Sequence, residues 1–371
     1  MDFIAQTQHD KFARQDYLRL KTQGIRVARE GVRWHLVEAQ RGKYDFSSVE
    51  SIVQAARETE TQVIWDLCHF GWPDHLDIFK PEFVSGLAAY GAAFAEWVAN
   101  ELDGPCYFVP INEISYYSWA GGDEGSMFPF ATGRGFELKA QMVRASIETM
   151  DAIWALVPTA RFVQIDPIIH VEAHPDRPHE RDAAEAYRHS QFQAWDMIRG
   201  AVWPELGGQE KYLDIIGVNY YPQNQWYYNL QGVERVGEFQ AIAREHENHR
   251  PFRKILAEVH DRFHRPIIIG ETGCENHERP EWLRHVCEET DAAIENGIPV
   301  HGICLYPILN HAGWLDDRHC HNGLWDYAEP NGERPIYAPL AAELRRWRRH
   351  FDGNRERRPP AALRATEAMV R

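Results

Sequence analysis

Long hydrophobic runs are missing from this sequence: its apolar stretches, such as Ile303–Leu309 around Pro307, are short. A bilayer span needs about 20 apolar residues, so a membrane-embedded chain is not expected. Cysteine is sparse. The six (Cys68, Cys106, Cys274, Cys287, Cys304, Cys320) show no CxxC pair and no regular spacing. Residues 1–10 lack a basic stretch followed by an apolar run, so no export signal is expected, and the thiols are expected to be reduced in a cytoplasmic protein. Positive charge is also in deficit, with 40 Lys and Arg against 55 Asp and Glu and a formal charge of −15. A surface of that sign repels polyanions, which argues against a nucleic-acid partner. No low-complexity linker or short repeat interrupts the first 350 or so residues. The G-x-G-x-x-G turn that follows an early strand in dinucleotide-binding sheets is absent too, which counts against an open doubly wound fold.

What is present is ordinary globular composition, 44% hydrophobic and 26% charged, with 13 Trp, 15 Tyr and 17 Phe. Those rings serve a large core or a cleft whose flat apolar walls suit sugar faces. The length of 371 residues fits two modest domains or one large α/β barrel. Runs rich in Val, Ile, Phe or Tyr recur at 24–29, 62–67, 106–111, 161–165, 213–219, 266–270 and 302–306. Several are apolar on both faces, as parallel strands covered by helices are. Helical patterns lie between them. In 82–100 the residues Phe83, Leu87, Tyr90, Phe94 and Trp97 form one stripe. Ser47 and Ser48 stand where the helix over 49–58 needs an N-cap. Further helices are expected over 11–23, 137–157 and 280–296. Seven strands alternating with helices predict a (β/α)8 TIM barrel whose first strand is weak or missing. Only Asp2–Gln8 precedes the first helix, and it is a poor strand. The expected organisation is one catalytic barrel over 1–352. A basic, solvated tail over 353–371 follows, carrying Arg355, Arg357, Arg358, Pro359 and Pro360.

In such a barrel the chemistry sits at the C-terminal ends of the strands. Reading those ends in order gives Arg29-Glu30-Gly31, Cys68-His69-Phe70-Gly71-Trp72-Pro73, Asn112-Glu113, Asn219-Tyr220-Tyr221, Glu271-Thr272-Gly273, and Tyr306 followed by Asn310, His311 and Trp314. Glu113 and Glu271 stand out because each ends an apolar strand, where a carboxylate is costly unless paired. Two carboxylates across one barrel mouth meet the needs of glycoside hydrolysis, one protonated to donate to the leaving oxygen and one ionised to attack the anomeric carbon. The plain alternative is a pair of structural ion pairs, with Arg29 as the partner of Glu271.

These motifs together resemble the retaining β-glycosidases of glycoside hydrolase clan A, family 1 and the β-glucosidase-like proteins near it. The resemblance covers about 24–327. Arg29-Glu30-Gly31-Val32-Arg33-Trp34 is similar to the family's second-strand motif, which implies that Arg29 steadies the nucleophile. Trp65 to Pro73 resembles the third-strand motif, which implies that His69 bonds a sugar hydroxyl. Asn112-Glu113 matches the pair in which Glu113 is the acid/base and Asn112 holds the 2-hydroxyl. Gly217 to Tyr221 resembles the sixth-strand motif, implying substrate-side roles for Asn219 and contact between Tyr221 and the nucleophile, Glu271. No metal or organic cofactor is implied, and the expected partner is a small carbohydrate or glycoside.

The chain departs from the family at the eighth strand. Tyr306 replaces the first of two Trp residues, Gly313 stands where an acid reads outer hydroxyls, and Trp314 matches the second Trp. Asp316 and Asp317 are the nearby substitutes for that acid. Competing readings are a carbohydrate-binding barrel without turnover, a transglycosidase, and a metal-dependent lyase or aldolase. Asp317-Arg318-His319-Cys320-His321 holds potential metal ligands, but adjacent residues do not readily face one ion, so a turn is expected there. His170, His174 and His179 are not spaced as an H-E-x-x-H helix. Cys274 lacks an identifiable activating His. Trp119, Trp226, Tyr227 and Tyr228 are either sugar platforms or loop packing.

Overall fold

A computed structural model describes residues 2–229, 240–314, 316 and 318–357, the last three of these without their side chains. Asp317 and the expected tail beyond 357 lie outside the described residues, whereas the final helix, Ala338–Arg357, continues past the expected domain end at 352. All seven expected strands form: β1 (Val27–Gly31), β2 (Gln62–Asp66), β3 (Tyr107–Val109), β4 (Arg161–Pro167), β6 (Ile215–Asn219), β8 (Ile267–Thr272) and β9 (Val300–Leu305). They pair in parallel in the order β1-β2-β3-β4-β6-β8-β9. Two small outlying pairs complete the set, β5 (His170–Ala173) with β7 (Gln225–Tyr228), and β10 (His311–Ala312) with β11 (His319–Cys320).

The architecture is a nearly closed TIM barrel of seven strands with flanking helices. Among the described residues no strand precedes β1, and β1 and β9 are the two edges of the sheet. The Asp2–Gln8 segment is helical instead. Its Asp2 carboxylate accepts from the Ala5 amide at 3.0 Å, capping a turn over Phe3–Gln6, and Gln8 in the left-handed region starts the next helix, His9–Thr22. A local N-cap thus outcompetes a strand with no alternating pattern to bury.

Alternation on the strands separates two apolar layers. Val109, Val163 and Ile165, with Ile64, Ile215 and Ile268, fill the barrel interior. Their neighbours Trp65, Phe108, Phe162, Ile216, Ile267 and Ile269 face the helices. In the helix Pro81–Glu101 the expected stripe is inward, with Phe83, Leu87, Tyr90 and Phe94 fully buried and Trp97 stacked on Phe46 at 4.8 Å. That helix packs on Gly135–Leu156, and Gly91 permits the approach: a Cβ there would lie 2.7 Å from Thr149 Cγ2. The helix Ser47–Thr59 starts earlier than expected. Asp45, rather than a serine, does the capping, its Oδ1 accepting from the Ser47 amide at 2.9 Å. No helix among the described residues is long and apolar enough to cross a membrane.

Candidate active site

The barrel's C-terminal mouth gathers the candidate residues around Arg29. Arg29 pairs in register with Ile64, an interior position, so its side chain enters the barrel rather than the helix layer. Its planar fork is fully used. Nε and Nη2 reach the two Asp66 oxygens at 2.9 and 2.6 Å, Nη1 reaches Glu271 Oε1 at 2.5 Å, and Nη2 donates to Asn112 Oδ1 at 2.6 Å. Burial opposes a charged guanidinium, but Asp66 and Glu271 raise its pKa. Asp66 is itself buried; Arg29 and His69 overcome that burial and hold its carboxyl below the ordinary value.

Glu271 lies on β8 with its other oxygen accepting from the Tyr221 hydroxyl at 2.8 Å. A guanidinium on one oxygen and a phenol on the other fix this carboxylate in direction. The placement of Glu271 depends on a register shift between β6 and β8: Val218 pairs with Ile269, but Asn219 pairs with Glu271. Gly270 is the skipped residue. A Cβ on it would fall 2.8 Å from Asn219 Oδ1, so glycine keeps Asn219 in place.

Asn219 in turn defines Glu113. Its Nδ2 donates to Glu113 Oε1 at 2.7 Å, so the side chain paired in register with Glu271 reaches Glu113, bringing both carboxylates to one mouth. Sequence reasoning gave Asn219 to the substrate; its contact here is with Glu113. Glu113 adopts the left-handed region (φ 48°), uncommon for a residue with a Cβ, and it caps the short helix Ile114–Tyr117. Burial and the negative charge of Glu271 push its carboxyl up to about 8, against the lowering hydrogen bond from Asn219. The two acids are therefore differentiated: Glu113 retains its proton where Glu271 is clamped by donors.

The remaining candidates line the same mouth. Asp66 Oδ2 lies 3.0 Å from His69 Nδ1, and Asn112 Nδ2 lies 3.3 Å from His69 Nε2. Because the Asn112 amide can only donate, this network assigns the proton to His69 Nδ1. Tyr306 is joined to Pro307 by a cis peptide bond, and burial with the charge of Glu271 raises its phenol. Trp314 is 40% exposed, lies parallel to His69 at 6.2 Å and meets the ring of Phe3 edge-on at 4.7 Å.

Two participants were not singled out in the sequence. Asp66, inside the motif that supplied His69, bridges Arg29 and His69. Asp166, one residue beyond the expected end of its strand, accepts from the Ser115 amide and hydroxyl at 2.8 and 3.1 Å. Burial pushes Asp166 up to about 7, and its charge contributes to the rise at Glu113. The rule that found Glu113 and Glu271, a carboxylate ending an apolar strand, applies equally to both. Other sequence candidates lie elsewhere. Tyr228 meets Tyr187 at 5.8 Å, and Trp226 meets it at 6.3 Å; Trp119 contacts Tyr116 at 5.9 Å. Burial raises the Cys274 thiol to about 12, the opposite of an activated nucleophile.

No protein-family model matches this sequence, and no curated protein matches it in sequence. Solved structures do match its fold. The AHE enzyme from Alicyclobacillus herbarius aligns with a TM-score of 0.77 at 15% identity, covering 93% of this chain and 88% of that one. A β-glycosidase from Pyrococcus horikoshii gives 0.76 at 17% identity, covering 92% and 85%. The family 1 β-glucosidase from Thermotoga maritima gives 0.73 at 15% identity, covering 91% and 86%. The fold is that of the family 1 β-glycosidases of clan A.

Proposed function

We propose that the protein is a retaining glycoside hydrolase acting on a β-glycoside, with Glu271 as nucleophile and Glu113 as acid/base. The observation that carries this reading is the asymmetry of the pair: Glu271 is held by Arg29 and Tyr221, while Glu113 is pushed up to about 8. In the first step a Glu271 oxygen bonds the anomeric carbon as the glycosidic C–O bond breaks, and Glu113 gives its proton to the departing oxygen. The covalent ester removes the charge of Glu271, so the pKa of Glu113 falls and it becomes a base. It then takes a proton from water, whose oxygen attacks the anomeric carbon and releases Glu271. Asn112 and His69 orient sugar hydroxyls, with Tyr306 and Trp314 as the walls. Transfer to a sugar acceptor instead of water uses the same residues. Gly313 in place of an acid moves recognition of the outer hydroxyls away from the family's pattern.

A panel of aryl β-glycosides, with Glu271→Gln and Glu113→Gln beside the wild type, tests this. Nitrophenol release by the wild type and its loss in Glu271→Gln is the expected result. Equal turnover by wild type and Glu271→Gln defeats the assignment. The second reading, a carbohydrate-binding barrel without turnover, is favoured by Gly313 and by the unpaired edges β1 and β9; sugar binding by the folded wild type with no release across the panel supports it.

A further inference from the structure

The hairpin formed by β10 and β11 carries Trp314 at its turn, and its returning strand holds a group of side chains that the glycosidase reading does not use. His319 and His321 are two residues apart on an extended stretch, so their side chains fall on one side while Cys320 turns inward to burial. Across the hairpin Ala312 pairs with His319, and its small side chain leaves that face open. The two imidazoles lie with centroids 4.6 Å apart and their planes inclined at 28°. Asp326, on the segment that returns beneath them, brings its Oδ1 to 3.0 Å from His319 Nε2. One ligand atom from each of His319, His321 and Asp326 lies within 4.8 Å of the others.

We propose that His319, His321 and Asp326 form a binding site for a borderline divalent transition metal, of which Zn2+ is the best match. Two imidazoles and one carboxylate are the donor set such ions prefer. With metal–ligand bonds of about 2.0–2.2 Å, tetrahedral ligands stand about 3.3 Å apart, so these atoms close on an ion with modest side-chain rotation. The expectation of a plain turn was argued from Asp317, His319 and His321 as near neighbours in sequence; alternation along the strand and the arrival of Asp326 supply the convergence. The shell around the ligands is also in place. The Tyr327 amide donates to Asp326 Oδ1 at 2.8 Å, and the ring of Tyr327 packs edge-on against His319 at 4.7 Å. His319 and Asp326 side chains are 39% and 33% exposed, which gives an ion entry and leaves room for a water as fourth ligand.

An ion there ties the returning strand of the hairpin that carries Trp314 to the following segment that carries Asp326. The same hairpin is anchored to the segment after β8 by Arg318, which bonds both Glu275 oxygens at 2.8 and 3.0 Å, and by the Asn276 amide donating to the His321 carbonyl at 2.8 Å. The role is structural and independent of whether the barrel turns over a glycoside.

The test is calorimetric titration of ZnCl2, and absorbance titration of CoCl2, into the chelator-treated full chain. His319→Ala, His321→Ala and Asp326→Asn are run beside the wild type, with circular dichroism checking that each is folded. One tight Zn2+ per chain, Co2+ visible bands of a four-coordinate site, and affinity at least about tenfold weaker in every variant are expected. A rise in Tm with Zn2+ that the variants do not show is the second readout. Absence of tight binding by the folded wild type, or tight binding unchanged in His321→Ala, overturns the proposal.

Discussion

At the scale of single residues, the mouth is organised by what Arg29 and Asn219 do to two carboxylates. If the charge of Glu271 helps hold the proton on Glu113, then Glu271→Gln lowers the Glu113 pKa from about 8. Carboxyl 13C shifts recorded against pH check this, and an unchanged Glu113 titration contradicts the coupling. In the wild type, kcat/KM falls as pH rises through the Glu113 value, because the acid is then ionised. Arg29 is the harder residue to replace, since one fork serves Asp66, Glu271 and Asn112. Arg29→Met leaves two buried carboxylates without their cation, with an expected loss of about 3–5 kcal/mol in urea unfolding and a fall in kcat of at least about a hundredfold. Arg29→Lys restores a charge but not the fork, so stability recovers further than rate. Glu113 and Glu271 were legible in the sequence because each ends an apolar strand, where a carboxylate is costly unless paired; the roles of Arg29, His69, Asn112, Asn219 and Tyr221 came from the family resemblance. The Asn219 to Glu113 bond was not legible, since it joins residues 106 apart through a register shift. Asp166 was missed because its strand was read as ending at Ile165.

At the scale of elements, the strands were readable where burial on both faces writes a continuous apolar run, as in Arg161–Pro167 and Ile267–Thr272. They were less readable at the edges, where one side lacks a neighbour. β1 was expected over 24–29 and runs instead from Val27 to Gly31, and Val27 is 46% exposed. β9, the opposite edge, is intermediate or exposed along its whole length. The segment before β1 followed local capping chemistry at Asp2, which a strand-and-helix period count does not weigh. Dynamics should follow the same division. Amide hydrogen exchange is expected to be faster in β1 and β9 than in β3 and β4, which have neighbours on both sides. Native-state exchange read by mass spectrometry checks it. Equal protection across all four strands means that the gap between β1 and β9 is covered in solution.

At the scale of the whole molecule, buried titratable groups set how stability depends on pH, and their signs do not all agree. Burial and nearby Arg250 lower His170 to about 4, and burial likewise lowers His285 and His301. In the folded chain these bind fewer protons than when unfolded, so stability rises as pH climbs from acid toward the ordinary imidazole value near 6.5. Paired carboxylates act the same way lower down, with Glu185 held at about 2 chiefly by its Arg188 hydrogen bonds. Asp166, Glu113 and His9 act oppositely, as do thiols raised by burial such as Cys68 and Cys304. Asp166 at about 7 and Glu113 at about 8, both raised first by burial, keep protons that the unfolded chain has already lost. His9 is buried between Glu30 and Asp16, whose charges outweigh the burial and raise it to about 10. Each makes the folded chain hold the extra proton above its unfolded pKa, so stability falls as pH rises, through about 7, 8 and 10 in turn. Above about 6.5 the lowered histidines have nothing left to contribute, and the falling terms are opposed by the Lys139 amine, which burial lowers. Urea midpoints are therefore expected to decline from about pH 7 toward pH 10. Glu113→Gln flattens the part of the decline below about 8 and leaves the His9 part above it intact. A midpoint still rising between pH 7 and 9 in the wild type contradicts the assignment of His9 as a buried imidazolium held by Asp16 and Glu30.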